Sequence, residues 1–221
     1  MFRILNAKCS SVPLRLLVIV LLIVSGCKDK KKSIADNQEE TPLFKRIHTE
    51  VSGIDFNNAV QERPENFFDF FAYVYNGGGV AIGDINNDGL SDIYFTGNEV
   101  PDKLYLNQGK MRFKDITESS GVREGRGWDN GVVMVDINAD GLLDIYVCRG
   151  GWQDTDEQRK NLLFVNQGNL KFSEQAADYG LADAGYSMHA SFFDMDNDND
   201  LDAYVINRPD SFYLPLTVMA K

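Results

Sequence analysis

The sequence predicts an all-β fold made of repeated four-stranded antiparallel units. Three observations predict it: an acidic nine-residue pattern that occurs three times, β-rich runs on both sides of each copy, and a turn-forming motif between copies. The first copy reads Asp84-Ile85-Asn86-Asn87-Asp88-Gly89-Leu90-Ser91-Asp92, with Val80-Ala81-Ile82-Gly83 before it and Ile93-Tyr94-Phe95 after it. The second occupies residues 136–144 and the third residues 194–202, so the starts lie 52 and 58 residues apart. A period of that size marks an array of supersecondary units, none of which can bury its faces alone.

The second motif supplies the other half of each unit. Leu104-Tyr105-Leu106-Asn107-Gln108-Gly109 recurs as Leu162-Leu163-Phe164-Val165-Asn166-Gln167-Gly168, and Phe113 or Phe172 follows in a short β-type run. An Asn-Gln-Gly turn between two such runs reads as a hairpin. One acidic-loop hairpin and one turn hairpin make four short strands, the signature of a propeller blade; parallel β-helix repeats are much shorter. The third unit matches the first as far as Leu214, but Pro215 stands where Asn107 stood. Residues 44–221 are therefore expected to form a partial β-propeller ring of about two and a half blades, and propellers close with about 4 to 8. The expectation is a fragment of a longer protein.

The 221 residues are 43% hydrophobic and 11% aromatic, enough for a packed core. Acidic residues outnumber basic ones by 33 to 22. Such a surface excludes nucleic acid as a partner, because a phosphate backbone needs basic residues to release its counterions. Residues 1–26 read as a leader, with Arg3, Lys8 and Arg15 ahead of an apolar run over residues 16–24. That run is shorter than the about 20 residues of a membrane-spanning helix, so it fits a signal peptide. Residues 27–43 are polar and charged without apolar periodicity, a flexible tether. Cys148 sits in the apolar run 145–148 and is expected to be a small core residue.

The leader ends in Val24-Ser25-Gly26-Cys27, which resembles a bacterial lipobox. That resemblance implies lipidation of Cys27 and an outer-membrane location. Lys28-Asp29 resembles the short charged signal that sends lipoproteins of Bacteroidetes-type bacteria to the outer face of that membrane.

The acidic pattern places side-chain oxygens at positions 1, 3, 5 and 9: Asp84, Asn86, Asp88 and Asp92; Asp136, Asn138, Asp140 and Asp144; Asp194, Asp196, Asp198 and Asp202. Position 7 (Leu90, Leu142, Asp200) is expected to offer its backbone carbonyl. Position 6 needs a left-handed residue, which Gly89, Gly141 and Asn199 tolerate. Oxygen donors in this number point to Ca²⁺, which takes about 6 to 8 of them; magnesium keeps its waters and demands octahedral geometry. An EF-hand is excluded, since its loop requires a glutamate at position 12, where this chain has Phe95, Val147 and Val205.

With the lead Asn76-Gly77-Gly78-Gly79, these loops resemble the FG-GAP and VCBS-like repeats, the blades of integrin-α-type propellers. The wording is similar to that of bacterial lipoproteins related to cartilage acidic proteins, the ASPIC/UnbV group. The resemblance implies calcium at the three loops and a binding or scaffold module for a protein or glycan ligand at the cell surface. The alternative is a polysaccharide-processing hydrolase or lyase whose catalytic residues lie elsewhere. The sequence offers no catalytic set for it: only His48 and His189 are present, and no nucleophile elbow or zinc-binding helix motif occurs. His189 is expected in the core. Trp128 and Trp152 fall in inter-strand loops, where they could stack on sugars or pack in the fold.

Overall fold

The computed structural model describes residues 42–64, 73–122, 127–151 and 155–209. The leader, most of the tether with Cys27, Trp152 and the Pro215 segment lie outside them. The chain divides between Lys45 and Arg46, and every strand falls in the second unit. No helix among the described residues is long and apolar enough to cross a membrane.

Among the described residues, ten strands form three antiparallel sheets. The first blade contains β1 (Val80–Gly83), β2 (Asp92–Phe95), β3 (Lys103–Asn107) and β4 (Phe113–Asp115), hydrogen-bonded in chain order. The second repeats it with β5 (Asp129–Val135), β6 (Asp144–Arg149), β7 (Leu162–Asn166) and β8 (Phe172–Glu174). The third shows β9 (Ser187–Phe193) paired with β10 (Asp202–Asn207). Gly83 stands opposite Asp92, and Val135 opposite Asp144, so each acidic pattern turns the chain between the first two strands of its blade. The Asn-Gln-Gly motifs close the β3–β4 and β7–β8 hairpins as the sequence predicts.

Blades stack through their first strands, β1 beside β5 and β5 beside β9. Strand alternation sends neighbouring side chains to opposite junctions. Ile145, Val147, Leu162 and Phe164 join Tyr94, Leu104 and Val132 between blades one and two. Tyr146, Cys148, Leu163 and Val165 join Ala190 between blades two and three. β6 is buried at all six positions, which explains why its sequence is a continuous apolar run and not an alternating one. The equivalent tyrosines Tyr94 and Tyr146 are 0% exposed, whereas Tyr204 on β10 is 64% exposed.

The blades approach closely enough to exclude side chains. A Cβ on Gly79 would lie 2.5 Å from the Asn130 carbonyl oxygen, and one on Gly131 would lie 2.5 Å from that of Met188. Ahead of blade one, residues 46–63 form a strap without strands: Phe56 stacks on Phe95 at 5.1 Å, Tyr105 donates to Asp55 (2.7 Å), and Asn58 and Asn98 exchange hydrogen bonds.

Candidate metal centres

Each acidic loop is shaped by its own carboxylates. Position 1 closes the turn: Asp84 Oδ1 accepts from the Asp88 N–H (3.1 Å) and Oδ2 from the Gly89 N–H (2.7 Å). Asp136 does the same with Asp140 (3.0 Å) and Gly141 (2.8 Å), and Asp194 with Asp198 (3.2 Å) and Asn199 (3.1 Å). Desolvation works to raise Asp84, but the N–H groups of Gly89, Asp88 and Asn86 outweigh it and hold the carboxyl below its usual range. Position 6 is left-handed in all three loops: φ is 84° at Gly89, 85° at Gly141 and 72° at Asn199. Position 4 is left-handed as well, at Asn87, Ala139 and Asn197. Sequence reasoning missed this second inversion, and Ala139 gives no local signal for it.

Position 9 ties the loop to the blade. Asp92 takes the N–H of Ile85 on Oδ2 (3.1 Å) and that of Asn107 on Oδ1 (2.7 Å); Asp144 takes those of Ile137 (2.9 Å) and Asn166 (2.7 Å). Both are buried, and desolvation is the main cause that raises them above the ordinary carboxylate range, despite those two donors. Asp202 accepts from Met195 (2.8 Å). A carboxylate has about four acceptor sites, so the two bonds at Asp92 and at Asp144 leave lone pairs on both.

Positions 3 and 5 separate the loops. Asn86 donates its amide to Asp88 (3.0 Å), and Asn138 to Asp140 (2.9 Å), so a neutral donor relieves one carboxylate in each of these loops. The third loop has Asp196 in that place. Carboxylate oxygens of Asp194, Asp196 and Asp202 lie within 4.8 Å of one another, a grouping without a counterpart among the described residues. Next to it, the Asp200 N–H holds Asp198 low, and the hydrogen bond and charge of Asp198 raise Asp200. The donors are oxygens alone, the set that suits a hard divalent cation, and three converging carboxylates repel one another without one. Leu90 and Leu142 each donate N–H to the position 5 aspartate (2.8 Å), leaving their carbonyls for position 7.

One expectation is overturned, and one open alternative is decided. His189 is not in the core: it pairs across the sheet with Ile206, and both are exposed on the face of the third sheet that no blade covers among the described residues. Trp128 is buried against Val74, a packing residue and not a sugar platform. Cys148 is buried, as expected, and burial pushes its thiol up to about 12.

The first two blades repeat four antiparallel strands turned by an acidic loop, and the blades stack by their first strands; residues 84–147, which span the first acidic loop to the second, match the model of the FG-GAP-like repeat. The chain is similar to Cartilage acidic protein 1 of Xenopus tropicalis, 32% identical over 139 residues that make up 60% of this chain and 20% of that protein. Cartilage acidic protein 1 of Homo sapiens is 30% identical over 139 residues, again 60% of this chain and 20% of the relative. The chain spans about a fifth of the length of these curated relatives.

Proposed function

We propose that this chain is a lipid-anchored bacterial surface protein whose blades, clasped by calcium, act as a binding or scaffold module for a protein or glycan partner. The observation that carries this reading is the third loop, where three carboxylates converge and no amide donor stands between them. The first two loops share its closing hydrogen bonds, and their ligands would be Asp84, Asn86, Asp88, Asp92 and the Leu90 carbonyl, and Asp136, Asn138, Asp140, Asp144 and the Leu142 carbonyl. Bound calcium would replace the Asn86–Asp88 and Asn138–Asp140 bridges as the neutralising partner. The anchor is Cys27, at the end of the lipobox-like Val24-Ser25-Gly26. Both histidines, His48 and His189, are exposed in separate elements, which favours a binding role over acid–base catalysis.

Thermal melting in EDTA and then in millimolar calcium tests the central claim. An ion that binds only the folded state adds about 2.7 kcal/mol per site at a hundredfold excess over Kd. Extracellular modules bind at roughly 10⁻⁴–10⁻³ M, so the shift at each loop will be smaller. Wild type should melt higher with calcium, and Asp140→Ala should gain less. Equal melting temperatures for wild type would remove calcium from the proposal. Palmitate labelling that persists in Cys27→Ala would remove the anchor, and turnover of a polysaccharide would replace the binding module with an enzyme.

A further inference from the structure

The helical turn that follows the outer strand of blade one occurs a second time, ahead of that blade. After β4 the chain reads Thr117-Glu118-Ser119-Ser120-Gly121, and in the strap it reads Thr49-Glu50-Val51-Ser52-Gly53. Each is one turn of helix that buries its last serine and ends in a left-handed glycine, with φ of 86° at Gly121 and 75° at Gly53. The two glycines also sit alike. A Cβ on Gly121 would lie 3.0 Å from the Phe172 carbonyl oxygen on the outer strand of blade two, and one on Gly53 would lie 2.6 Å from the Phe113 carbonyl oxygen on the outer strand of blade one. Residues 49–53 therefore hold, against blade one, the place that the end of blade one holds against blade two.

The equivalence extends backwards along the chain. Phe113-Lys114-Asp115-Ile116, which contains β4, precedes the first turn, and Phe44-Lys45-Arg46-Ile47 precedes the second, with His48 as one extra residue. Phe113 is 8% exposed on a paired strand, whereas Phe44 is 86% exposed and the first strand of the described residues begins at Val80. Residues 44–46 thus carry the pattern of an outer strand without a sheet to join. The face of blade one that precedes it is bare in the same way. Val80 and Ile82 are 55% and 64% exposed, whereas their equivalents Val132 and Met134, and Ala190 and Phe192, pack against the blade before them. At the other end of the array, Tyr204 and Ile206 on β10 are exposed, although their equivalents Tyr146 and Cys148 are covered by blade three.

We infer that blade one receives the third blade of a second copy of this chain: Tyr204 and Ile206 of that copy pack on Val80 and Ile82, and residues 44–46 join its sheet as the outer strand. The two junctions within the chain are the template, since the equivalents of Val80 and Ile82 already pack on the equivalents of Tyr204 and Ile206 there. The third unit also has the opening. Pro215 stands in place of Asn107 and Asn166, whose N–H groups tie the Asn-Gln-Gly turn to Asp92 and Asp144, and proline has no N–H to do so. Strand addition supplies main-chain hydrogen bonds, while the apolar faces supply the fit. His189 sets the strength of the contact, because it stands where Gly79 and Gly131 admit the next blade so closely. The junction between copies is therefore looser than those within the chain. Being head to tail, it adds copies into a ring or a filament.

Sedimentation of the full chain in nonionic detergent tests this, with two double variants at exposed positions where aspartate leaves the fold intact. Val80→Asp with Ile82→Asp removes one half of the junction, and Tyr204→Asp with Ile206→Asp removes the other. Wild type should grow past two chains as its concentration rises. Each double variant alone should stay monomeric, and their mixture should form a complex of one chain of each and nothing larger, because a single intact junction remains. A wild type that is monomeric throughout, self-association that survives in either variant, or a mixture that forms no complex overturns the inference. Hydrogen exchange at residues 44–46 should slow in the mixture, and Phe44→Asp should weaken the complex; free exchange in the complex rejects the added strand. Protection of residues 44–46 in a wild-type monomer would assign the face to another part of the same polypeptide and exclude the second copy. His189→Gly should shift association to lower concentration, and a shift to higher concentration would count against the packing proposed for this face.

Discussion

The side-chain amide of Asn166 donates to the main-chain carbonyl of Ile85, 81 residues away in the neighbouring blade, at 2.8 Å. The same amide reaches the Leu143 carbonyl in its own blade (3.1 Å), so one asparagine fastens two acidic loops at once. The side-chain amide of Asn107, its counterpart in blade one, donates to the Ser91 carbonyl (2.7 Å), an exposed contact within its own blade.

This difference separates two otherwise identical motifs. Asn166→Ala strands the buried Ile85 carbonyl and should cost about 1–3 kcal/mol, whereas Asn107→Ala loses an exposed bond worth about 1 kcal/mol or less. Urea unfolding midpoints of the two variants measure the difference. Equal losses would mean that water replaces the inter-blade bond.

Cys148 lies between blades two and three, with its thiol pushed up to about 12 by burial and, secondarily, by Asp183. Thiolate is the reactive form. At pH 8 the native protein should resist alkylation at Cys148 for hours, and unfolding in urea should expose it at once. Mass spectrometry of the Cys148 peptide, with and without denaturant, gives the ratio, and rapid native labelling would contradict the enclosed junction.

Two glycine substitutions should act by different means. Gly131→Ala drives a methyl against the Met188 carbonyl at 2.5 Å, so it forces blades two and three apart, at about 1–3 kcal/mol or more. Gly180 has open space around it but a φ of 70°, so Gly180→Ala costs only its left-handed strain, about 1–2 kcal/mol. The first variant should open Cys148 to alkylation and the second should leave it protected.

The blades were legible because their information is consecutive. Nine acidic-loop residues, an Asn-Gln-Gly turn and the β-rich runs that flank them are all local signals, and the hairpins follow from them. The polar contacts at the other end of the blades were not legible for the opposite reason. Tyr94 reaches Asp102 across eight residues, whereas Tyr146 reaches Asn161 across fifteen, so loops of different length hide equivalent positions. His189 misled because position in a repeat does not reveal whether a neighbouring blade covers that face. Asn86 and Asn138 counted as ligand positions like Asp196, yet their amides make the first two loops self-neutralising in a way that a pattern of oxygens does not convey.

Val147 and Cys148 are consecutive residues on β6 but belong to different cores. A change in volume at one moves a backbone that the other shares, and residues in contact through a common strand couple by about 0.5–3 kcal/mol. The two junctions should therefore not accept substitutions independently. Substitutions on β6 should be epistatic across the blade, with a larger side chain at 147 tolerated only where 148 or its partner Ala190 has yielded space, so that adjacent repeats drift together even where their loops diverge.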